Sequence, residues 1–320
     1  MMLYGNEIKQ AESEKYLGWH ISENGVSASA HETVMKRKGK VTRAIYQIKS
    51  IVEDKRCEEL GAVNTGLLIW NTSVLPFLLH SCENWLLMKK ETEKVLADLQ
   101  ADFFRALFCL PLSCPLPIMY FDTKSLLIQN RIKKAKLLFR FHLENLSSSS
   151  LAFEVLSVQK RLPSIPSLYL ETQDMMAELG LGPVKTYSKT QWSKEVNRKI
   201  EEKNYFEIMS QIKHYKKLSY EKLSKEEYEV KPYLSNLNLS QARVKIRLRA
   251  KVFGSAKFNF QSDPNFSTDN WLCECGLIQS QRHQEVCKQY DELRDIYDIE
   301  NDEGLVSYFT EILKRQMPDE

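Results

Sequence analysis

The chain is poor in glycine and proline, with 11 and 10 in 320 residues, too few for a protein assembled from turns and short strands. Its rich use of Leu, Lys, Glu and Gln instead suits helices, so the composition predicts a mostly α fold. Long apolar runs are missing too. No stretch approaches the roughly 18 apolar residues of a membrane span, and Met1 to Gln10 lacks a signal peptide's apolar core. A soluble, intracellular protein of nucleus or cytoplasm is expected. No Walker-type glycine loop occurs, and Gly180, Gly182 and Pro183 read as a turn rather than a phosphate cradle. Apolar residues are not scarce. At 43% hydrophobic and 10% aromatic content the chain carries enough surface to bury for genuine cores.

Acidic residues are absent from one long basic stretch. Net charge is +3, too balanced for the whole molecule to imply a polyanionic partner. Between Glu229 and Asp263, however, there is no acid, while Lys231, Arg243, Lys245, Arg247, Arg249, Lys251 and Lys257 fall inside the gap. From Asp291 to Glu320 the balance inverts, with ten acids against three bases, an acidic tail behind a basic stretch. The run Ser240 to Lys251 alternates basic and apolar residues. At period two it makes a strand with a cationic face, yet Ser240 is a good helix N-cap and the composition tolerates a helix. In either form Arg243, Lys245, Arg247, Arg249 and Lys251 would offer a dense surface to phosphates, with no acid nearby in sequence to neutralise them. The alternative is a solvated helix face.

Along the chain, alternation around Tyr4, Ile8, Tyr16, Leu17 and Ile21 predicts one or two short strands, with turns at Gly5 and Gly25. From His31 the spacing of Val34, Val41, Ile45 and Ile48 predicts an amphipathic helix whose wet faces carry Lys36, Arg37, Lys38, Lys40 and Arg43. The run Leu67 to Leu79, broken or kinked at Pro76, and Glu91 to Leu107 read as core helices. Leu126 to Leu146 reads as another, with Arg131, Lys133, Lys134 and Lys136 on its wet side. A linker or boundary is expected between 147 and 190, followed by two helices, Gln191 to Lys203 and Tyr205 to Lys217, and a solvated connector from Tyr220 to Tyr233. Trp70, Trp85 and Trp192 read as core anchors. His20, His31, His80, His142 and His214 are scattered, with no partner to single one out.

Seven cysteines is an odd number, and three of them crowd near one histidine. Cys273, Cys275, His283 and Cys287 read C-x-C-x7-H-x3-C. Three thiolates and an imidazole fill a tetrahedral zinc shell with no open position, the composition of a structural site. His283 and Cys287, four apart, would share one helix face, while Gly276 lets the chain turn back. The C-x-C pair is closer than the usual knuckle spacing.

Three stretches together resemble the region after the catalytic palm of LINE-type, jockey-like non-LTR retrotransposon reverse transcriptases. Lys15-Tyr16-Leu17-Gly18 is similar to the family's K-Y-L-G segment at the end of the palm. Trp70 to Trp85 resembles the thumb signature V-L-P-x-L-L-Y-G-C-E-x-W, with His80 and Ser81 in place of its usual Tyr and Gly. The run from Gln241 through Cys287 resembles the Cys/His knuckle that closes many such proteins. The resemblance implies a palm remnant over 1–30, a thumb-like helical domain over 31–150, a helical connector over 151–235, and a basic segment, zinc knuckle and acidic tail over 236–320. It also implies RNA or DNA as partner, with Lys36, Arg37 and Lys40 on a thumb helix. The family's catalytic aspartates, including an A-D-D box upstream of K-Y-L-G, have no counterpart among the 14 residues before Lys15. The expectation is therefore a nucleic-acid-binding fragment without catalysis, and no membrane partner. A helical protein-interaction scaffold is the alternative, as is part of an active polymerase if a palm lies upstream.

Overall fold

The computed structural model describes residues 2–3, 6–7, 12–16, 19–58, 61–162, 165–216, 218–252, 275 and 281–316. The fold is mostly helical, with small antiparallel hairpins at its start. Strands β1 (Met2–Leu3) and β2 (Asn6–Glu7) pair, as do β3 (Ser13–Tyr16) and β4 (Trp19–Ser22). Among the described residues no helix is long and apolar enough to cross a membrane.

Helix α1 (Val26–Val52) begins after Gly25, whose φ of 93° makes the turn that favours glycine. Short α2 (Lys55–Glu58) and α3 (Ala62–Ile69) follow, and α3 runs through a π turn at Trp70–Val74 into α4 (Leu75–Leu78). Pro76 sits in the first turn of α4, directly after the π turn, and the helical path continues past it. After α5 (Lys90–Phe108) and α6 (Pro117–Asp122) comes α7 (Ile128–Glu144). The segment 147–190, where a linker or boundary is expected, is largely helical. It holds α8 (Leu151–Arg161) and α9 (Leu168–Leu179), which ends at Gly180 in the left-handed conformation. One helix, α10 (Lys189–His214), replaces the two expected. Then come α11 (Tyr220–Leu223), α12 (Tyr233–Asn236), α13 (Leu239–Arg249), α14 (Gln281–Val286), α15 (Asp291–Ile296) and α16 (Asp302–Gln316).

The chain forms two compact units, each made of three separated stretches. The first comprises Met1–Ala44, Asn71–Gln100 and Leu126–Phe206, the second Ile45–Trp70, Ala101–Ser125 and Glu207–Glu320. Consecutive blocks of sequence are thus not the units of packing. In the first unit Leu137 and Phe141 of α7 pack with Met175, Met176 and Leu179 of α9 and with Trp192, Val196 and Ile200 of α10. The start of α7 has no side-chain cap of its own. Its orphan N–H groups are taken by other helices: Leu127 N donates to Asn204 Oδ1 at 2.8 Å and Ile128 N to Gln100 Oε1 at 2.9 Å. Asn204 sits where the sequence suggests a helix break because it caps a neighbour instead. Lys136 is also not on a wet side: it is buried, donating to the Trp85 carbonyl and pairing with Glu171 at 2.6 Å.

In the second unit Trp70 stacks on Phe103 with ring centroids 4.3 Å apart, and Phe104 packs edge-on against Tyr120. Trp70, Trp85 and Trp192 are all buried core anchors.

Candidate nucleic-acid interface and metal site

The basic run is a helix, and its N-cap is Asn238 rather than Ser240. Asn238 and Gln241 form a capping box, the Asn side chain accepting from Gln241 N at 2.9 Å. Residues two apart on a helix lie about 200° apart. The alternation that suggests one cationic strand face therefore spreads Ala242, Val244, Ile246 and Leu248 over opposite faces, and all four are buried. The cations between them point inward and are engaged. Arg243 donates to the Leu107 carbonyl at 3.0 Å and pairs with Glu53 at 2.8 Å. Arg247 donates to the Cys109 carbonyl at 2.6 Å, and Lys245 pairs with Asp302 at 2.7 Å.

Arg249 meets the most buried acid. It grips both oxygens of Asp122, at 2.6 and 2.8 Å, and also pairs with Glu226 at 2.8 Å. Asp122 is fully buried and takes a further bond from Tyr233 Oη at 2.7 Å. Burial pushes the Asp122 carboxyl above its ordinary range, against the pull of Arg249. Burial would also raise Glu226, but the bonds from Arg249 and Lys231 prevail and hold it below its usual value. Arg243, Lys245, Arg247 and Arg249, read in the sequence as a phosphate-contact surface, are engaged within the second unit. Acids absent from their sequence neighbourhood arrive from Glu53, Asp122, Glu226 and Asp302. Lys251, just past the helix end, is the exposed member of the five.

Different cations gather around a cavity in the first unit, about 500 Å³ and lined by Lys15, His20, Lys36, Arg37, Lys40, Pro76, Phe77 and His80. Lys15 and His20 are cross-strand partners on β3 and β4, so they share one face of the hairpin. Two backbone N–H groups of β4 fix that hairpin to α1: His20 N donates to Thr33 Oγ1 at 2.9 Å and Ser22 N to Ser29 Oγ at 2.8 Å. From α1, Arg37 is buried and donates to the carbonyls of Leu78 and His80, at 2.8 and 2.9 Å. It is therefore a strut under the chain after Pro76 rather than an open contact. Lys36 pairs with Glu32 at 2.6 Å and lies 3.1 Å from His20 Nδ1. Lys15 and Lys40 are exposed, and the exposed ring of Phe77 supplies an apolar wall. Burial and the neighbouring Lys36 charge set the His20 imidazole below its usual range. His20 and His80 are the residues sequence reasoning missed, because only the fold places them among the lysines.

The turn after the cavity has one more feature. Ser81 adopts φ 63°, the left-handed region.

The Cys/His group lies in the second unit. Cys275 Sγ is 3.2 Å from His283 Nε2 and 3.9 Å from Cys287 Sγ, and the ligand atoms of the three residues all lie within 4.8 Å of one another. A tetrahedral shell with zinc–sulfur bonds near 2.3 Å has S···S edges of about 3.8 Å and S···N edges of about 3.5 Å. These three residues could hold a metal ion. Cys273, the fourth ligand of the sequence pattern, lies outside the described residues, as do Leu17, Gly18 and Gly276. The frame around the second ligand pair is rigidly tied. Arg294 donates to the carbonyls of Glu285 and Cys287, and Tyr308 Oη to that of Gln284. Cys287 itself is buried in a cluster with Tyr290, Leu293, Tyr308, Phe309 and Ile312, onto which Val244 and Leu248 of α13 also pack. The acidic C-terminal stretch is thus no solvated tail through Arg315: α15 and α16 form half of this core.

Comparison with protein-family models, with curated proteins and with solved structures finds no match to this chain.

Proposed function

We propose that the chain binds nucleic acid through the cavity of the first unit, without a catalytic step, and that its architecture is that of the LINE-type reverse transcriptase region after the palm. The observation that carries this reading is the lining of the cavity. Lys15, from the K-Y-L-G-like segment, meets Pro76, Phe77 and His80, from the V-L-P-like segment about sixty residues later, around a set of cations in which Lys15 and Lys40 are exposed and Lys36 is paired with Glu32. Lysines that offer point charges beside one exposed aromatic ring form a surface for a phosphodiester backbone with a base stacked against the ring. Ser81 supports the resemblance independently, since a left-handed residue there gives the signature's glycine a physical reason.

The same reading makes the Cys/His group a structural zinc site of Cys273, Cys275, His283 and Cys287. Soft thiolates and an imidazole suit zinc, not the magnesium of phosphoryl transfer, which takes oxygen ligands. Zinc would join Cys275 to His283 on α14 and to buried Cys287 just beyond it.

Fluorescence anisotropy with a labelled oligonucleotide, RNA and DNA in turn, tests the assignment. If Lys15, Lys36 and Lys40 meet three phosphates, the log–log salt slope on duplex is about −2.7, and each lysine removed takes away about 0.9. A wild-type chain that binds neither RNA nor DNA at low salt contradicts the proposal.

A further inference from the structure

Helix α8 buries one side and leaves an apolar stripe on the other. Leu156 faces the core of the first unit with Leu143 and Leu168. Leu151, Val155, Val158 and Leu162 are 74%, 47%, 50% and 42% exposed. Their 4-3-4 spacing is the seam of a coiled coil, and at 100° per residue the four fall within an arc of about 60°. Ile165, exposed just beyond the helix, extends the stripe. One flank of the stripe carries Glu154 near the start and Arg161 at the end, while the other carries Ala152 and Gln159.

We infer that α8 is a self-association surface, on which a second copy of this chain docks its own α8 antiparallel across a two-fold axis. The charge pattern selects this occupant and this direction. A two-fold axis perpendicular to the helices brings like flanks together, so Glu154 of each copy faces Arg161 of the other, twice over. Parallel pairing would set the charged flank against Ala152 and Gln159 and leave those charges without partners. Centred between Leu156 and Ser157, the antiparallel seam sets Leu151 against Leu162 of the second copy and Val155 against its Val158. The helix is about 16 Å long, and the surface it can cover falls below the roughly 800 Å² per partner of stable complexes. The dimer is therefore weak and forms by mass action.

Sedimentation velocity on the full chain tests this. Dimer should accumulate between about 1 and about 100 µM, and Val155→Glu with Val158→Glu should give monomer throughout, with circular dichroism unchanged. Glu154→Arg alone and Arg161→Glu alone should each weaken association roughly 3- to 10-fold, and the two together should restore it. Should the valine variants lose helicity, the charge series decides, because it alters only exposed positions. Monomer at every concentration overturns the inference and leaves the stripe to another protein. A dimer indifferent to the valine changes, or single reversals not rescued by the double exchange, overturns it equally.

Discussion

The cations of α13 and the lysines around the first-unit cavity meet different fates. On α13, four cations in a stretch of sequence without acids are all engaged inside the second unit, with Glu53, Asp302, Asp122 and Glu226 and with the carbonyls of Leu107 and Cys109. Around the first-unit cavity the cations are contributed by separated segments, and Lys15 and Lys40 face solvent. Charge density along the chain and charge available to a ligand are therefore different quantities. What separates them is desolvation. A guanidinium buried among apolar residues must be paired by whatever the fold brings to it, and a hairpin lysine need not be.

The largest effect is expected at Arg249. Removing it as Arg249→Met strands Asp122, a buried carboxylate, and should cost about 3–5 kcal/mol in urea unfolding at pH 7. The sign with pH is opposite to an ordinary ion pair. In the variant the Asp122 carboxyl titrates above its unfolded value near 4, so the folded state holds the extra proton. The deficit should then shrink as pH falls toward about 4 and grow as it rises. An unchanged midpoint in the variant would mean the cluster is not holding the helix.

Next in size is the metal site. Removing zinc from the purified chain should unfold α14 and loosen the cluster around Tyr308, while α7, α9 and α10 keep their protection in hydrogen exchange. Cys287→Ser should abolish stoichiometric zinc. Metal content far below one equivalent in reducing buffer removes this arm. The remaining thiols sharpen the contrast, because burial pushes Cys82 and Cys114 up to about 12. At pH 8 in the native state both should resist alkylation, and rapid labelling of either would contradict the packing described.

How much of this was legible in the sequence divides along the same line. Helix periodicity in α1, α5 and α7 was readable because the apolar residues bury on one side of each. The alternation in α13 was not, because a helix buried on every side has no amphipathic signal, and the same pattern fits a strand. Lys136 was placed on the wet side of its helix, yet it is buried with Glu171 2.6 Å away. The Cys/His spacing was readable as a possible metal group because its ligands are local. The cavity was legible only in its α1 lysines, since Lys15, His20 and His80 meet there through a hairpin register and a turn that no periodicity encodes. Arg37 was singled out for a phosphate and serves the chain's own carbonyls instead.

The smallest effects test local backbone. Ser81→Gly relieves a left-handed serine and should stabilise by about 0.5–1 kcal/mol, read as a higher Tm, despite the lost Ser81 Oγ contact to His80 Nδ1 at 2.9 Å. Gly39, in the middle of α1, has open space where a Cβ would stand. Gly39→Ala should add up to about 1 kcal/mol, and a fall in Tm would show that α1 is not helical there.

Which basic residues face a ligand can be measured directly. Oligonucleotide affinity and its salt slope should be compared between Lys15→Gln with Lys40→Gln and Lys251→Gln, each checked for wild-type stability. The account predicts that the first pair weakens binding and reduces the slope by about 1.8 on duplex, while Lys251→Gln leaves both near wild type. Loss of binding on changing Lys251, with the cavity lysines dispensable, would contradict it and return the interface to the end of α13.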